Sequence, residues 1–201
     1  MTTNNPRSDL LRLFIAIELP TAVGEALAAL QKRLQTLDRE RAIRWTAISS
    51  IHLTLKFLGD TDPARRPAID AALREAVAGR TPFTLNIDGA GCFPDLRKPR
   101  IVWAGAGGDL ATLHGLRDAV ERTVSPLGYP TEDRPFSPHL TLGRARQDAP
   151  RPALSAFGER IGQAEVGTLA TWRVEGLSLM RSELKPSGAV YTQMLYLPLG
   201  D

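Results

Sequence analysis

The sequence predicts an α+β fold made of two similar halves, with two antiparallel sheets flanked by helices and a cleft between the lobes. Three observations carry that prediction. The strand and helix patterns run in the order βα, ββ, α, ββ, α, β, α, ββ, which lacks the βαβ alternation an all-parallel sheet requires. The string HLTL occurs twice, at residues 52–55 and 139–142, its histidines 87 positions apart and a helical pattern after each copy. No low-complexity stretch or long linker divides the chain, so residues 1–201 are read as one bilobal domain.

Each element has its own signal. "LRLFIAIEL" (11–19) reads as a buried strand ended by Pro20, and Val23, Leu27, Leu30, Leu34 and Leu37 then mark a helix over 21–40. A short strand at "IRWT" precedes "SIHLTLKFLG" (50–59), which closes at Gly59. Strand alternation places Leu53, Leu55 and Phe57 on a core face and His52, Thr54 and Lys56 on the other. Asp62 and Pro63 supply a cap and first turn for a second helix reaching about Gly79. "FTLNIDGAGCF" and "RIVWAGA" alternate as a strand pair around the loop "PDLRKP", and a third helix spans 109–124. The second copy, "SPHLTLGR" (137–144), is succeeded by a weaker helix over 153–163 and two closing strands, "WRVEGLSLMRS" and "AVYTQMLYLPL".

With 43% hydrophobic and 23% charged residues the composition is that of an ordinary globular chain. One cysteine, Cys92, excludes an internal disulfide and a cysteine-built zinc site, and suits a small buried hydrophobe. No stretch approaches the ~20 uncharged apolar residues of a membrane span. Arg12 and Glu18 break the first apolar run and no small-residue cleavage site comes after it, which points to a cytoplasmic protein without a signal peptide. The net charge of +3 rests on 21 arginines against four lysines. Codon bias accounts for much of that excess, and a balance this mild suits contact with a few phosphates rather than a long duplex.

A single His-x-Thr carries no information, but two of only three histidines sit in the same string. His114, the third, falls in the helical pattern "DLATLHGLRDAV" and reads as a helix-surface or boundary residue. Two imidazoles converging on one point supply an acid and a base near neutral pH, one taking a proton from water and the other giving one to a leaving alkoxide. A threonine hydroxyl two residues along the same face of each strand can donate to the non-bridging oxygens of a phosphate. The set needs no cofactor and offers no metal cage.

The chain resembles the two-histidine (2H) phosphoesterase superfamily, and within it the LigT-like RNA 2′,3′-cyclic phosphodiesterases. Five segments carry the likeness in order: "RLFIAIELP", "HLTLKFLGD", "CFPDLRKPRIVWAGA", "RPFSPHLTLGRAR" and "LSLMRSELKPSGAVYTQMLYLPL". The resemblance implies a bilobal α+β body and metal-independent opening of a terminal 2′,3′-cyclic phosphate to a 2′-phosphate and a 3′-hydroxyl. It implies His52 as proton donor, His139 as proton acceptor, Thr54 and Thr141 as phosphate holders, and Arg144 as a basic position ending the second motif. Strand parity sets Arg144 opposite His139, so a bulge or strand end must intervene before it reaches phosphate; Phe57 occupies the equivalent place in the first motif.

Further candidates lie outside the two His-x-Thr pairs. Phe14 shares a strand face with Ala16 and Glu18, as a base-stacking platform or a core ring. Tyr191 contacts ribose or phosphate, or is a strand aromatic. Lys56 favours anions or is solvated, the "RKPR" loop (Arg97, Lys98, Arg100) is an outer RNA track or an exposed hairpin tip, and Trp45 and Trp103 belong to the core. The expected partner is RNA or a nucleotide with a cyclic phosphate end, with no obligate protein partner implied. The alternatives are 2′-5′ RNA ligation by the same acid and base, and a non-catalytic RNA-end or nucleotide-binding module on the same fold.

Overall fold

The computed structural model describes residues 10–185 and 188–200; expectations touching residues 1–9 and Pro186–Ser187 lie outside the described residues. Its elements run β1 (Leu11–Ile17), α1 (Thr21–Gln35), β2 (Ile43–Trp45), β3 (Leu53–Thr61), α2 (Arg66–Val77), β4 (Phe83–Phe93), β5 (Ile101–Gly108), α3 (Leu110–Val124), β6 (His139–Ala145), α4 (Arg151–Gly162), β7 (Thr168–Val174), β8 (Gly176–Lys185) and β9 (Gly188–Pro198). The α+β class is the observed one, and among the described residues every strand pairing is antiparallel.

The sheet order is β7-β4-β5-β6-β3-β1-β8-β9, with β2 added against β6. It therefore divides into two four-stranded arrays, β7-β4-β5-β6 and β3-β1-β8-β9. The expected pair of sheets is joined into one curled, nine-stranded sheet, because β3 and β6 meet at Leu53 and Leu140.

Local chemistry sets the helix ends. The apolar stripe Val23, Leu27, Leu30 and Leu34 buries α1, with Lys32 and Arg33 at its C-terminal, dipole-negative end. α1 stops at Gln35, short of residue 40, because Asp38 turns the chain: its carboxylate accepts from the Ala42 and Ile43 amides at 2.8 and 3.2 Å. Asp62 caps a single 3-10 turn before α2 by accepting from the Ala64 amide at 2.9 Å, and Asp109 caps α3 through the Thr112 amide at 3.0 Å.

The segment "WRVEGLSLMRS" is two strands rather than one. β7 ends at Val174 beside β4, and β8 begins at Gly176 and runs beside β1, so the chain crosses between arrays at Glu175. The Leu199 amide donates to the Glu175 carbonyl at 2.7 Å and closes the junction. Strand alternation continues through such a crossing, so it gives no sign of the change of neighbour.

Among the described residues, the four helices α1 to α4 bury the same side of the sheet. Leu13, Ile15 and Ile17 of β1 and Leu53 and Leu55 of β3 share one core with Leu27, Leu73, Leu116 and Phe157 from the four helices. Phe14, Ala16 and Met180 form a separate small cluster, as alternation on β1 and β8 requires. That second face holds the site.

Candidate active site

Leu53 and Leu140, the second residues of the two repeated strings, are paired across β3 and β6 and fully buried. Their neighbours His52, Thr54, His139 and Thr141 are partly exposed, on the opposite face. An antiparallel pairing centred on the two leucines directs each histidine towards the other motif's threonine. A one-residue slip would exchange the two sets, exposing both leucines at about 1.5–3 kcal/mol each and burying both imidazoles.

Beyond this point each strand carries a bulge at the same motif position. Ile15 and Ala16 of β1 pair with Lys56 and Thr54, leaving Leu55 extra; Val102 and Trp103 of β5 pair with Gly143 and Thr141, leaving Leu142 extra. The Leu142 carbonyl is satisfied by the Thr46 amide at 2.9 Å and by Nε2 of Gln31, a buried polar residue of α1, at 3.0 Å.

Each bulge reverses the side-chain parity of the residues after it. In β3 it corrects two sequence expectations. Lys56 points into the core, 2% exposed, where Nζ lies 2.7 Å from Glu121 of α3 and donates to the Pro130 carbonyl at 2.7 Å. Phe57 turns out instead, 58% exposed, with its ring 6.0 Å from that of Phe14. In β6 the same reversal brings Arg144, exposed, to the His139 side, supplying the bulge its role requires.

The two imidazoles sit in unlike surroundings. His52 stacks on Phe14 at 4.6 Å between ring centroids and meets the edge of Tyr191 at 5.0 Å. Burial lowers its pKa from the ordinary value to about 4, opposed by a backbone hydrogen bond at Ser50 and by the Glu18 charge. His139 Nδ1 lies 2.8 Å from the Ser137 carbonyl, which only accepts, so Nδ1 carries the proton and Nε2 of the neutral ring holds the free lone pair. A serine two residues before each histidine is thus a further shared feature of "SIHLTL" and "SPHLTL".

A cavity of about 550 Å³ opens beside His52, lined among others by Glu18, Ser49, Met180, Tyr191 and Gln193. Glu18 accepts from Ser178 Oγ at 2.5 Å and from Gln193 Nε2, which fixes the carboxylate at the cavity wall. Among the described residues no three His, Cys, Asp or Glu side chains gather as a metal-binding cluster.

The remaining candidates divide between the cleft, the core and the surface. Phe14 is 2% exposed beneath His52 and Tyr191, so it supports the imidazole and has no free face for a base, contrary to the stacking-platform expectation. Trp103 is not a core residue: it pairs with Thr141 on the cleft face, its ring 5.3 Å from Phe93, and Phe93 in turn meets the His139 ring edge at 5.0 Å. Gly91 makes room for that indole, since a Cβ there would lie 2.4 Å from Trp103 Cζ2. Trp45 packs edge-on to Phe157 at 6.2 Å, and His114 lies half-buried on α3 against Phe136. Arg97, Lys98 and Arg100 are exposed. Cys92 is buried, which pushes its thiol up to about 12 and makes it a poor nucleophile. Sequence alternation missed Phe57, Phe93 and Trp103 because the first needs the bulge and the others need the β4–β5–β6 register.

The family described as "LigT like Phosphoesterase" matches residues 17–103 and 109–191, one stretch for each His-x-Thr. An RNA 2′,3′-cyclic phosphodiesterase of Methanothermobacter thermautotrophicus is 32% identical over 92% of this chain and 96% of its own length. One from Thermus thermophilus is 36% identical over 90% of this chain and 87% of its own. Among solved structures, a Thermus thermophilus protein superposes with a TM-score of 0.74 at 34% identity, over 94% of this chain and 98% of that one. LigT from E. coli complexed with 3′-AMP gives 0.73 at 25% identity, over 96% and 99%. With both halves matched and both motifs at one junction, this chain belongs to the LigT-like phosphoesterase family.

Proposed function

We propose that this protein is an RNA 2′,3′-cyclic phosphodiesterase that opens a terminal cyclic phosphate to a 2′-phosphomonoester and a 3′-hydroxyl. The observation that carries the reading is the meeting of two His-x-Thr strands at Leu53 and Leu140, in a member of this family.

His139 Nε2 takes the proton of an attacking water, since its Nδ1 is committed to Ser137. The water oxygen bonds to phosphorus as the bond from phosphorus to the 3′ oxygen breaks, and His52 delivers a proton to that oxygen. Burial makes protonated His52 a strong acid, and the anionic phosphate beside it restores the charge that burial removes. Thr54 and Thr141 donate to the non-bridging oxygens as charge accumulates on them. Tyr191, against the His52 ring, lines the substrate side, and Phe57 offers an exposed ring for a base. Arg144 adds positive charge beyond Thr141.

The test is incubation with an RNA ending in a 2′,3′-cyclic phosphate, followed by identification of the terminal phosphate. The expected product carries it on the 2′ oxygen; no turnover, or a 3′-phosphate as the only product, overturns the reading.

A further inference from the structure

His139 is reached through a segment whose middle, residues 131–135, is exposed, yet the residues flanking that stretch are pinned. The Pro130 carbonyl accepts from Lys56 Nζ at 2.7 Å, and the Pro138 carbonyl accepts from the Ala106 amide at 3.3 Å. Between them Phe136 turns inward, half-buried against α3. Its ring packs edge-to-face with His114 at 5.5 Å between centroids, and the Arg117 guanidinium carbon lies 5.7 Å from its centroid. His114 and Arg117 are three residues apart and so share one face of the helix. A guanidinium within ~6 Å of a ring centroid is drawn to the ring face, more so when it is desolvated, and the Arg117 side chain is only 13% exposed. Glu121 aims it: Oε1 lies 2.9 Å from Arg117 Nη2, while Oε2 lies 2.7 Å from Lys56 Nζ. An ionic chain thus runs through the protein from Lys56, two residues past Thr54, to Phe136, the neighbour of Ser137.

We propose that Phe136 is a positioning residue for the second histidine: seated by Arg117 and Glu121, it fixes the Ser137 carbonyl and thereby the tautomer of His139. A neutral imidazole carries one proton, and the Ser137 carbonyl holds it on Nδ1. When that carbonyl drifts, the proton is free to settle on Nε2, and the lone pair that accepts the water's proton is lost. Phe93 also meets the His139 ring, at 5.0 Å, but a phenyl ring does not select between the two nitrogens. The inference rests on the proposed role of His139 as the base, whereas the tautomer itself is read without any turnover.

The test is nitrogen NMR of histidine-labelled protein at alkaline pH, where imidazoles are neutral, paired with steady-state kinetics on a cyclic-phosphate RNA. The His139 signals are assigned by their absence in His139→Gln. Wild type is expected to show the Nδ1–H tautomer, and Phe136→Ala a mixture of both. In the same variant kcat is expected to fall on the order of 10²-fold with KM little changed, the cost of displacing a reacting group by about 1 Å. Phe136→Tyr, which keeps the ring, is expected to restore tautomer and kcat, and Arg117→Met to shift both in the direction of Phe136→Ala. An Nε2–H tautomer in wild type overturns the proposal, as does a Phe136→Ala spectrum with the wild-type tautomer, whatever happens to its melting temperature. Should Phe136→Ala fail to fold, Phe136→Leu, which keeps the apolar bulk without the ring face, is read the same way. A tautomer that depends on Phe136 in a protein that hydrolyses no cyclic phosphate upholds the positioning and rejects the proposed reaction.

Discussion

Leu53 and Leu140, equivalent residues of two strings 87 positions apart, are partners across the centre of the sheet and, among the described residues, the one point at which its two halves pair. Each leucine commits its histidine and threonine to the opposite face, so a hydrophobic choice fixes the placement of the polar groups.

If those groups are the reaction's acid, base and oxyanion donors, His52→Ala and His139→Ala each lose about 10²–10⁴-fold in kcat while the fold is kept. Thr54→Ala and Thr141→Ala lose less, since a neutral hydroxyl gives one hydrogen bond without moving a proton. Single-turnover rates on a cyclic-phosphate RNA, with circular dichroism as the folding control, check this. Near-wild-type turnover in either histidine variant removes that residue from the mechanism.

The pKa of about 4 at His52 gives a signed pH dependence. An unfolded histidine binds a proton near ~6.5, so between about pH 6.5 and 4 the unfolded chain is protonated where the folded one is not. Stability is therefore full above about 6.5 and falls as the pH drops through that window, by on the order of 3 kcal/mol. Melting temperature should decline more steeply in wild type than in His52→Gln; parallel curves would contradict it. In NMR titrations the His52 ring should titrate near 4 alone and higher with inorganic phosphate, and kcat should follow a bell whose limbs belong to the coupled pair.

Lys56 and Glu121 are 2% and 4% exposed and 2.7 Å apart, so removing one partner strands the other's charge. Lys56→Met should destabilise the fold towards the lower end of about 3–5 kcal/mol, because Arg117 still lies 2.9 Å from Glu121. Adding Glu121→Leu should recover much of the loss. Urea unfolding of the single and double variants measures both; a double variant no better than the single one would locate the cost elsewhere.

Turnover should survive exhaustive chelation, because every proposed acid, base and donor is a side chain. Loss of activity with EDTA, restored by one divalent ion, would replace this mechanism.

The repeated string and the strand and helix periods of the sequence by themselves determine the α+β class, the two-half layout and the histidine–threonine faces near the junction, because apolar alternation is a local property. The caps Asp62 and Asp109 are equally legible, since a cap acts within three residues. Tertiary structure alone decided what lies beyond residues 55 and 142. A bulge is set by the register of the neighbouring strand, so the core position of Lys56, the exposure of Phe57 and the turn of Arg144 towards the cleft are invisible to a period-two reading. The crossing at Glu175 and the pairing of Arg44 with Arg144 are likewise contacts between distant segments, fixed only when the whole sheet closes around its core.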